Sequence, residues 1–236
     1  MEQINVSNLT KKYGELTALN DVSLDVESGI LFGLLGPNGS GKSTMIKCLT
    51  GQIKPTSGNI GVLGTDVVKE PVDVREKIGI IPEQENPPSF LTAEEYLYFV
   101  GRIRRLDRKD IEQETKKWFR FLEFESQRNI LCKDLSRGTR QKLMFAQAFM
   151  HKPKLAFIDE PLINLDPIIQ KSVKDFLLDE VKKGHTIFFS THILEIAEEI
   201  CDKVAILHLG NLIYVGKPKK DLTRFFLKEV ENLKKK

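Results

Sequence analysis

The residues with the clearest chemical meaning form one glycine-rich stretch between an apolar run, residues 30–35, and a helix-forming segment, residues 45–49. The stretch consists of Gly36, Pro37, Asn38, Gly39, Ser40, Gly41, Lys42, Ser43 and Thr44. This is the phosphate-binding pattern G-x-x-x-x-G-K-[ST] in the strand, loop and helix context that it requires. Glycines let backbone N–H groups approach an anion, Lys42 supplies a charge for the phosphates, and Ser43 offers a hydroxyl to Mg2+. The stretch predicts a nucleotide-phosphate site; the alternative is a flexible turn.

Reactive side chains also follow two other strand-like runs. Asp159 and Glu160 come directly after four apolar residues, and His192 follows the apolar residues 187–189. A buried carboxylate is costly without a cation, so Asp159 suits the outer coordination shell of Mg2+. Glu160 is placed to accept a proton from an attacking water, a role worth roughly 10² to 10⁴ in rate. The alternatives are an acidic turn at a helix start for the pair and an ordinary surface or core histidine for His192.

These groups require a scaffold that brings strand ends together. Because ligands of parallel α/β sheets lie at the carboxyl ends of the strands, we expect the three groups at one edge of a mainly parallel sheet. Before the loop, alternating apolar residues between 6 and 26 predict half-buried antiparallel strands, with residues 11–14 as a turn. Residues 92–150 show helical spacing that opens with a capping box of Thr92 and Glu95. Within this helical insertion, Trp118 is expected in the core or at a subdomain interface.

The amino-acid composition limits the classes of protein to which the chain can belong. The chain has 236 residues, 41% of them hydrophobic and 29% charged, as in ordinary globular proteins. Its net charge of +3 is too balanced to indicate nucleic acid, and we expect none as a partner. A basic cluster is interpreted as solvated helix faces and comprises Arg102, Arg104, Arg105, Arg108 and Lys109. Three isolated cysteines suggest neither disulfides nor a metal site, and no apolar run indicates direct membrane insertion.

Together these motifs resemble, in their order along nearly the whole chain, the nucleotide-binding subunits of ABC transporters. Residues 36–44 are similar to the family's Walker A motif, residues 155–159 to Walker B, and Glu160 to the adjacent catalytic glutamate. Gln84 resembles the Q-loop glutamine, His192 the switch histidine, and Tyr13 the aromatic residue that stacks on adenine. The signature and the D-loop are matched by residues 135–139 and 164–166.

The resemblance implies an α/β fold: a P-loop NTPase core with a mainly parallel sheet, an N-terminal antiparallel β subdomain and a helical insertion. Its ligands would be ATP and Mg2+. The catalytic residues would be Lys42, Gln84, Glu160 and His192, and the metal would be held by Ser43, Gln84 and Asp159. Ser136 predicts a helix cap that, with Gly138, would face the γ-phosphate held by a second ATP-binding subunit. Asp166 would also lie at this shared site.

Some positions depart from the family pattern. Arg137 and Thr139 replace the usual glycine and glutamine of the signature, a variation that resembles drug, antibiotic and polysaccharide exporters. Leu162 and Ile163 stand where small hydroxyl residues are usual, and Asn164 where glycine or alanine is usual. Ser136 and Gly138 remain, so a γ-phosphate contact is still expected, while the D-loop changes predict altered cooperativity across the dimer.

We therefore expect one ABC-type domain over residues 1–236. Its ATP-binding core would span residues 1–90 and 151–216, its helical signature subdomain residues 91–150, and a C-terminal helix or tail residues 217–236. The predicted function is an ATP-hydrolysing motor of an exporter, held at the cytoplasmic face of the membrane by an integral permease subunit. The alternatives are a soluble ABC ATPase, such as a cofactor-assembly factor, and an ATP-binding module without turnover.

Overall fold

The computed structural model describes residues 2–84, 87–162 and 164–234. Its strands β1 to β10 are Glu2–Tyr13, Leu16–Glu27, Leu31–Leu35, Ser57–Val62, Thr65–Asp66, Ile78–Ile81, Leu155–Asp159, Thr186–Thr191, Lys203–His208 and Asn211–Gly216. Its helices α1 to α8 are Lys42–Leu49, Pro71–Lys77, Ala93–Ile103, Arg108–Phe121, Arg137–Phe149, Pro167–Lys182, Leu194–Ile200 and Leu222–Lys234.

The main sheet has six strands in the order β10-β9-β3-β8-β7-β6. The five strands from β9 to β6 run parallel, and β10 closes one edge as an antiparallel hairpin with β9. Strands β3, β7 and β8 are buried along their whole length, as expected for central parallel strands covered on both faces. Their carboxyl ends lead to the phosphate loop, to Asp159 and Glu160, and to His192, so the expected common edge is present.

A second sheet of four antiparallel strands, in the order β2-β1-β4-β5, covers one face of the main sheet. Between the two sheets, inward residues of the N-terminal strands such as Ile4 and Val26 pack with Phe32 and Phe188 of the main sheet. The rings of Phe32 and Phe188 stack with their centroids 5.4 Å apart. The α/β fold with an N-terminal antiparallel part is therefore confirmed.

The opposite face of the main sheet packs against helices α3 to α6. Helix α3 begins with the predicted capping box, in which Thr92 accepts from the N–H of Glu95 and Glu95 accepts from the N–H of Thr92. Trp118 of α4 is fully buried, and its ring contacts those of Phe149 in α5 and Phe176 in α6. It thus joins the helical insertion to the helix that covers the sheet, as predicted.

Three expectations are corrected. Residues 11–13 continue β1, and the turn begins at Gly14, because paired residues Lys12 and Thr17 extend the hairpin further than the apolar pattern does. Helix α2 was not expected, since it is short and begins at a proline. Arg104 is not a solvated side chain: its guanidinium donates to the carbonyls of Arg75 and Glu76, and burial lowers its pKa.

Candidate nucleotide-binding site

The phosphate loop connects β3 to α1 through a backbone that only glycine accommodates at key points. Helix α1 begins at Lys42, preceded by Gly41 at φ +110°. A Cβ atom at Gly41 would lie 2.5 Å from the carbonyl oxygen of Ala18, and one at Gly36 would lie 2.2 Å from that of Leu207. These close approaches hold the loop against neighbouring strands, and they leave the helix N-terminus with unpaired N–H donors for an anion.

The loop is also held by hydrogen bonds. The N–H of Gly210, between β9 and β10, donates to the carbonyl of Ser40 at 2.9 Å, and the N–H of Ser40 donates to Pro37 at 3.1 Å. The side chain of Ser40 is buried. The loop is therefore rigidly placed on the sheet edge, which is what a preorganised anion site requires.

Lys42 occupies the centre of the loop. Its ammonium donates to the carbonyls of Gly36 at 2.8 Å and Pro37 at 3.3 Å, and it lies 3.6 Å from Oε1 of Glu160. Its side chain is 6% exposed. The cation therefore points along the concave side of the loop, where phosphate oxygens can replace the carbonyls as its partners.

Glu160 links Lys42 to His192. It adopts a left-handed backbone conformation with φ +50°, and its carboxylate is 8% exposed. Nδ1 of His192 donates to Oε1 of Glu160 at 2.9 Å, whereas Oε2 is buried without a hydrogen-bond partner. Strained backbone of this kind clusters at functional sites. The structure thus brings together three predicted catalytic residues and leaves one carboxylate oxygen free to accept a proton.

Asp159 lies at the buried end of β7, where the Ser190 hydroxyl donates to its carboxylate. Burial raises the pKa of Asp159, and the charges of Glu83 and Glu160 act in the same direction. The hydrogen bond from the hydroxyl of Ser190 opposes this shift. Ser43 and Asp159 therefore offer the hard oxygen donors that Mg2+ prefers, next to a carboxylate whose charge a cation would stabilise.

The side chain that reaches Ser43 from the loop after β6 is Glu83, not the predicted Gln84. The Ser43 hydroxyl donates to Oε2 of Glu83 at 3.2 Å. Glu83 lines the phosphate-loop cavity, whereas Gln84 lines a neighbouring one with Pro82. Gln84 shares that neighbouring cavity with Asp159 and Glu83, so its role as a catalytic residue and metal ligand stays a prediction, while Glu83 is the residue that contacts Ser43. The sequence could have indicated Glu83, because two polar residues, Glu83 and Gln84, follow Pro82 and either could face the phosphate loop.

Tyr13 lies at the outer end of the same cavity, which has a volume of about 490 Å³. The cavity is lined by Tyr13, Leu16, Thr17, Ala18, Asn38, Gly39, Gly41, Lys42, Ser43, Thr44, Glu83, Glu160, Leu209 and Gly210. The ring of Tyr13 is about half exposed, and the Lys11 ammonium lies 4.9 Å from its centroid. The two exposed leucines, Leu16 and Leu209, were not predicted, and they add apolar surface beside the ring. One end of the cavity is thus suited to a phosphate and the other to a flat ring.

Ser136, Gly138 and Asp166 do not line this cavity. Ser136 caps α5 as predicted, by accepting from the N–H of Thr139 at 3.1 Å. A Cβ atom at Gly138 would lie 2.7 Å from the carbonyl of Asn164. Asp166 caps α6 and accepts from the N–H groups of Ile168 and Ile169. These residues form a second surface at the starts of α5 and α6.

Of the other positions that depart from the family pattern, Thr139 and Leu162 form hydrogen bonds with residues near them in the chain. The Thr139 hydroxyl lies 2.9 Å from that of Ser136, so the substitution adds to the cap. Leu162 is buried, and its carbonyl accepts from the side chain of Gln170. Ile163 lies outside the described residues. Within the described ranges, no cluster of three or more His, Cys, Asp or Glu side chains is arranged to hold a metal, and no helix has the length and apolarity needed to cross a bilayer.

Comparison with known proteins identifies the family. A family model described as ABC transporter matches residues 19–163. Nod factor export ATP-binding protein I of Rhizobium meliloti is 36% identical over 215 residues, which cover 91% of this chain and 64% of that protein. The protein of the same name from Rhizobium johnstonii is also 36% identical, with 91% of this chain and 69% of that protein covered. The chain thus spans only about two thirds of the length of these relatives.

Solved structures agree with the sequence relatives. One described as the ATP binding subunit of an ABC transporter superimposes with a TM-score of 0.91 at 30% identity, covering 97% of this chain and 99% of that one. A dimeric post-hydrolysis state of an ATP-binding cassette bound to ADP and Pi superimposes with a TM-score of 0.84 at 25% identity, covering 92% and 99%. The chain therefore belongs to the ABC transporter family, in which it is an ATPase cassette.

Proposed function

We propose that this cassette hydrolyses ATP between two subunits and thereby drives export through a separate membrane protein. The observation that carries the proposal is the contact of Lys42 and His192 with one carboxylate oxygen of Glu160 beside the phosphate loop. A cation for phosphates, a carboxylate for the attacking water and a histidine that orients that carboxylate are the parts that phosphoryl transfer to water needs.

The roles of the residues follow from their positions. Lys42 would exchange the carbonyls of Gly36 and Pro37 for the β and γ phosphates, since all are oxygen acceptors within its reach. Glu160 would accept the proton of the attacking water at Oε2, its oxygen without a hydrogen-bond partner. His192 holds Oε1 and fixes the carboxylate plane. Ser43 and Asp159 would hold Mg2+, which when bound would neutralise charge on the phosphates.

The cap of α5 supports a shared site. Ser136 and Gly138 open an N-terminus that lies away from the chain's own phosphate cavity, so an anion bound there would come from another molecule. A second cassette, either a copy of this chain or a related one, would place its ATP against this end. The dimeric cassette bound to ADP and Pi, to which this chain is similar, supports such a pairing.

A groove between α2 and α3 is the surface best suited to the membrane partner. It has a volume of about 470 Å³, and three exposed apolar side chains, Val72, Phe99 and Ile103, line it. Arg104 joins its two walls by donating to the carbonyls of Arg75 and Glu76. Because one wall belongs to the core and the other to the helical insertion, an apolar segment seated there would respond to motion between them.

The direction of transport rests on the relatives. The Nod factor export proteins serve export by their names, and they are 36% identical to this chain. We infer an export role on that similarity, with localisation at the cytoplasmic face through the permease. A cofactor-assembly ATPase is the competing outcome, and it would not need the groove to bind a membrane protein.

The chemical part is tested by Glu160→Gln. This variant keeps the shape of the side chain and removes the base, so phosphate release should fall about 10² to 10⁴-fold while ATP binding persists. With ATP the variant should accumulate as a dimer in size-exclusion chromatography. The matched control is Glu112→Gln, which removes a carboxylate from an exposed ion pair on α4 and should hydrolyse ATP normally. Unchanged hydrolysis in Glu160→Gln would refute the role of the base.

The transport part is tested by recovery of partners from native membranes. An affinity-tagged chain should co-purify an integral membrane protein, and Phe99→Asp, which puts a charge into the apolar groove, should lose it while retaining ATP turnover. Recovery of soluble proteins alone by both forms would favour the cofactor-assembly role.

A further inference from the structure

The ring of His192 has few contacts that fix its direction. Its imidazole is 40% exposed, and among the described residues its hydrogen-bond partner is Glu160. The ring also borders a cavity of about 280 Å³, which is lined by Gly36, Pro37, Asn38, His192, Leu194 and Phe226. Because this cavity gives the ring space to turn away from Glu160, the direction of His192 depends on the backbone that carries it.

That backbone lies between β8 and α7. Strand β8 is fixed in the middle of the main sheet by parallel pairing with β3 and β7. Helix α7 begins at Leu194 and has seven residues, and a helix this short is not stable by its own hydrogen bonds. One of its contacts is the ion pair of Glu199 with Lys174 of α6. The contacts of α7 with its neighbours therefore determine where His192 lies.

Helix α8 supplies a second set of contacts to α7. The carboxylate of Glu198 in α7 accepts from the N–H of Asp221 at 3.1 Å and from that of Leu222 at 3.0 Å. The hydroxyl of Thr223 donates to Glu195 at 3.2 Å. A carboxylate at a helix start satisfies N–H groups that have no partner within the helix, and the helix dipole attracts its charge. Glu198 thus binds α7 to the first turn of α8.

Helix α8 also contacts the hairpin of β9 and β10, which holds the phosphate loop. The ring of Phe226 packs edge-on against that of His208 at the end of β9, with the centroids 6.2 Å apart. Shortly after His208, Gly210 donates its N–H to the carbonyl of Ser40 in the phosphate loop. Phe226 also lines the cavity beside His192. One helix therefore joins the two parts of the chain that hold the phosphate loop and His192.

We propose that α8 positions His192 for hydrolysis and that Glu198 and Phe226 are its positioning residues. Glu198 holds the helix that follows His192, and Phe226 forms a wall of the space into which the ring would turn. Neither residue lines the phosphate-loop cavity, so displacement of α8 leaves nucleotide binding intact while it separates His192 from the carboxylate of Glu160. A molecule that lifts α8 from α7 would therefore slow turnover. This inference rests on the proposed function and adds a site of regulation to it.

The test is steady-state hydrolysis by Glu198→Ala, which removes both acceptor oxygens, and by Phe226→Ala. We expect kcat to fall about tenfold in Glu198→Ala, as loss of one charge-assisted hydrogen bond does, while KM for ATP stays within about twofold of the wild type. Phe226→Ala should show a smaller loss of the same kind. Glu198→Gln keeps one acceptor oxygen and should lie between the wild type and Glu198→Ala, and it takes the place of the alanine variant if that variant does not fold. The matched controls are Glu231→Ala and Leu227→Ala, two exposed positions of α8 that should hydrolyse ATP like the wild type.

Combination with His192→Ala separates positioning from a general structural role. If Glu198 acts through His192, Glu198→Ala should cost no further turnover in the His192→Ala background, measured as single-turnover release of labelled phosphate. Hydrogen exchange of the α7 amides should also be faster in Glu198→Ala than in the wild type.

Several results would overturn the inference. These are equal kcat of Glu198→Ala and the wild type, unchanged hydrogen exchange in α7, a raised KM with kcat unchanged, and a full additional loss of turnover in the double variant. Normal hydrolysis by His192→Ala would instead refute the role of His192 in the proposed function, and this inference with it. A loss in His192→Ala together with an unchanged Glu198→Ala would refute this inference alone.

Discussion

His151 should make the stability of this protein depend on pH. It follows α5, and Nε2 of its ring donates to the carbonyl of Ile78 at 3.2 Å, while Nδ1 is buried without a partner. Burial lowers the pKa of His151 to about 4, and the nearby Arg104 charge acts in the same direction. The folded protein therefore holds this ring in its neutral form.

The size of the effect follows from linkage. An unfolded histidine has a pKa of about 6.5, so His151 of the unfolded chain binds a proton below that pH. In the folded chain the same ring binds its proton only near pH 4, so between these two values the proton stabilises the unfolded chain. The contribution of the neutral His151 ring to the free energy of unfolding is fully present above the unfolded pKa of about 6.5, and it is lost as the pH falls toward about 4. Between about pH 7.5 and about pH 5 the loss is about 2 kcal/mol, and it levels off near 3 kcal/mol below the folded value. Asp159, whose pKa is raised by burial, acts with the opposite sign.

The measurement is urea unfolding of the wild type and His151→Gln at the two pH values. The buried Trp118, the single tryptophan of the chain, supplies the fluorescence signal. The glutamine amide keeps a donor for Ile78 but does not titrate, so the fall in unfolding free energy should be about 2 kcal/mol smaller in the variant. The same fall in both proteins would refute the argument, whatever the variant's stability at neutral pH, because Asp159 and all other groups are shared.

Two further predictions concern the aromatic residues. Tyr13→Ala should weaken binding of Mg2+-ATP by about 1 to 3 kcal/mol, as loss of one stacking partner does, and Tyr13→Trp should restore it; titration of both variants checks this, and weak binding by the tryptophan form would contradict stacking. Trp118→Ala should cost about 3 to 5 kcal/mol of stability because it empties the contact between α4, α5 and α6, and Trp118→Phe should cost less. Urea unfolding followed by circular dichroism checks this pair, and equal stability of all three proteins would argue against a joint at Trp118.

Local patterns predicted those parts of the fold and of the site that depend on neighbouring residues. The glycine and lysine spacing predicted the phosphate loop, and the serine and threonine positions predicted the caps at Ser136 and Thr92. The apolar runs predicted β3, β7 and β8 and hence the meeting of their ends. Helix α2 and the packing of Arg104 were missed because a short helix has little periodicity and a basic side chain carries no sign of its burial.

The sequence by itself determined that one α/β chain contains a phosphate loop, a strand that ends in two acidic residues and a strand that is followed by a histidine. It could do so because residue types and their spacing specify strands, turns and caps locally. Only the tertiary structure decided which side chains meet. It placed Glu160 between Lys42 and His192, and it turned Glu83 rather than Gln84 toward Ser43. A loop after a proline has no periodic pattern from which the direction of each side chain can be predicted. Packing against the ends of neighbouring strands therefore determines which side chain points into the site.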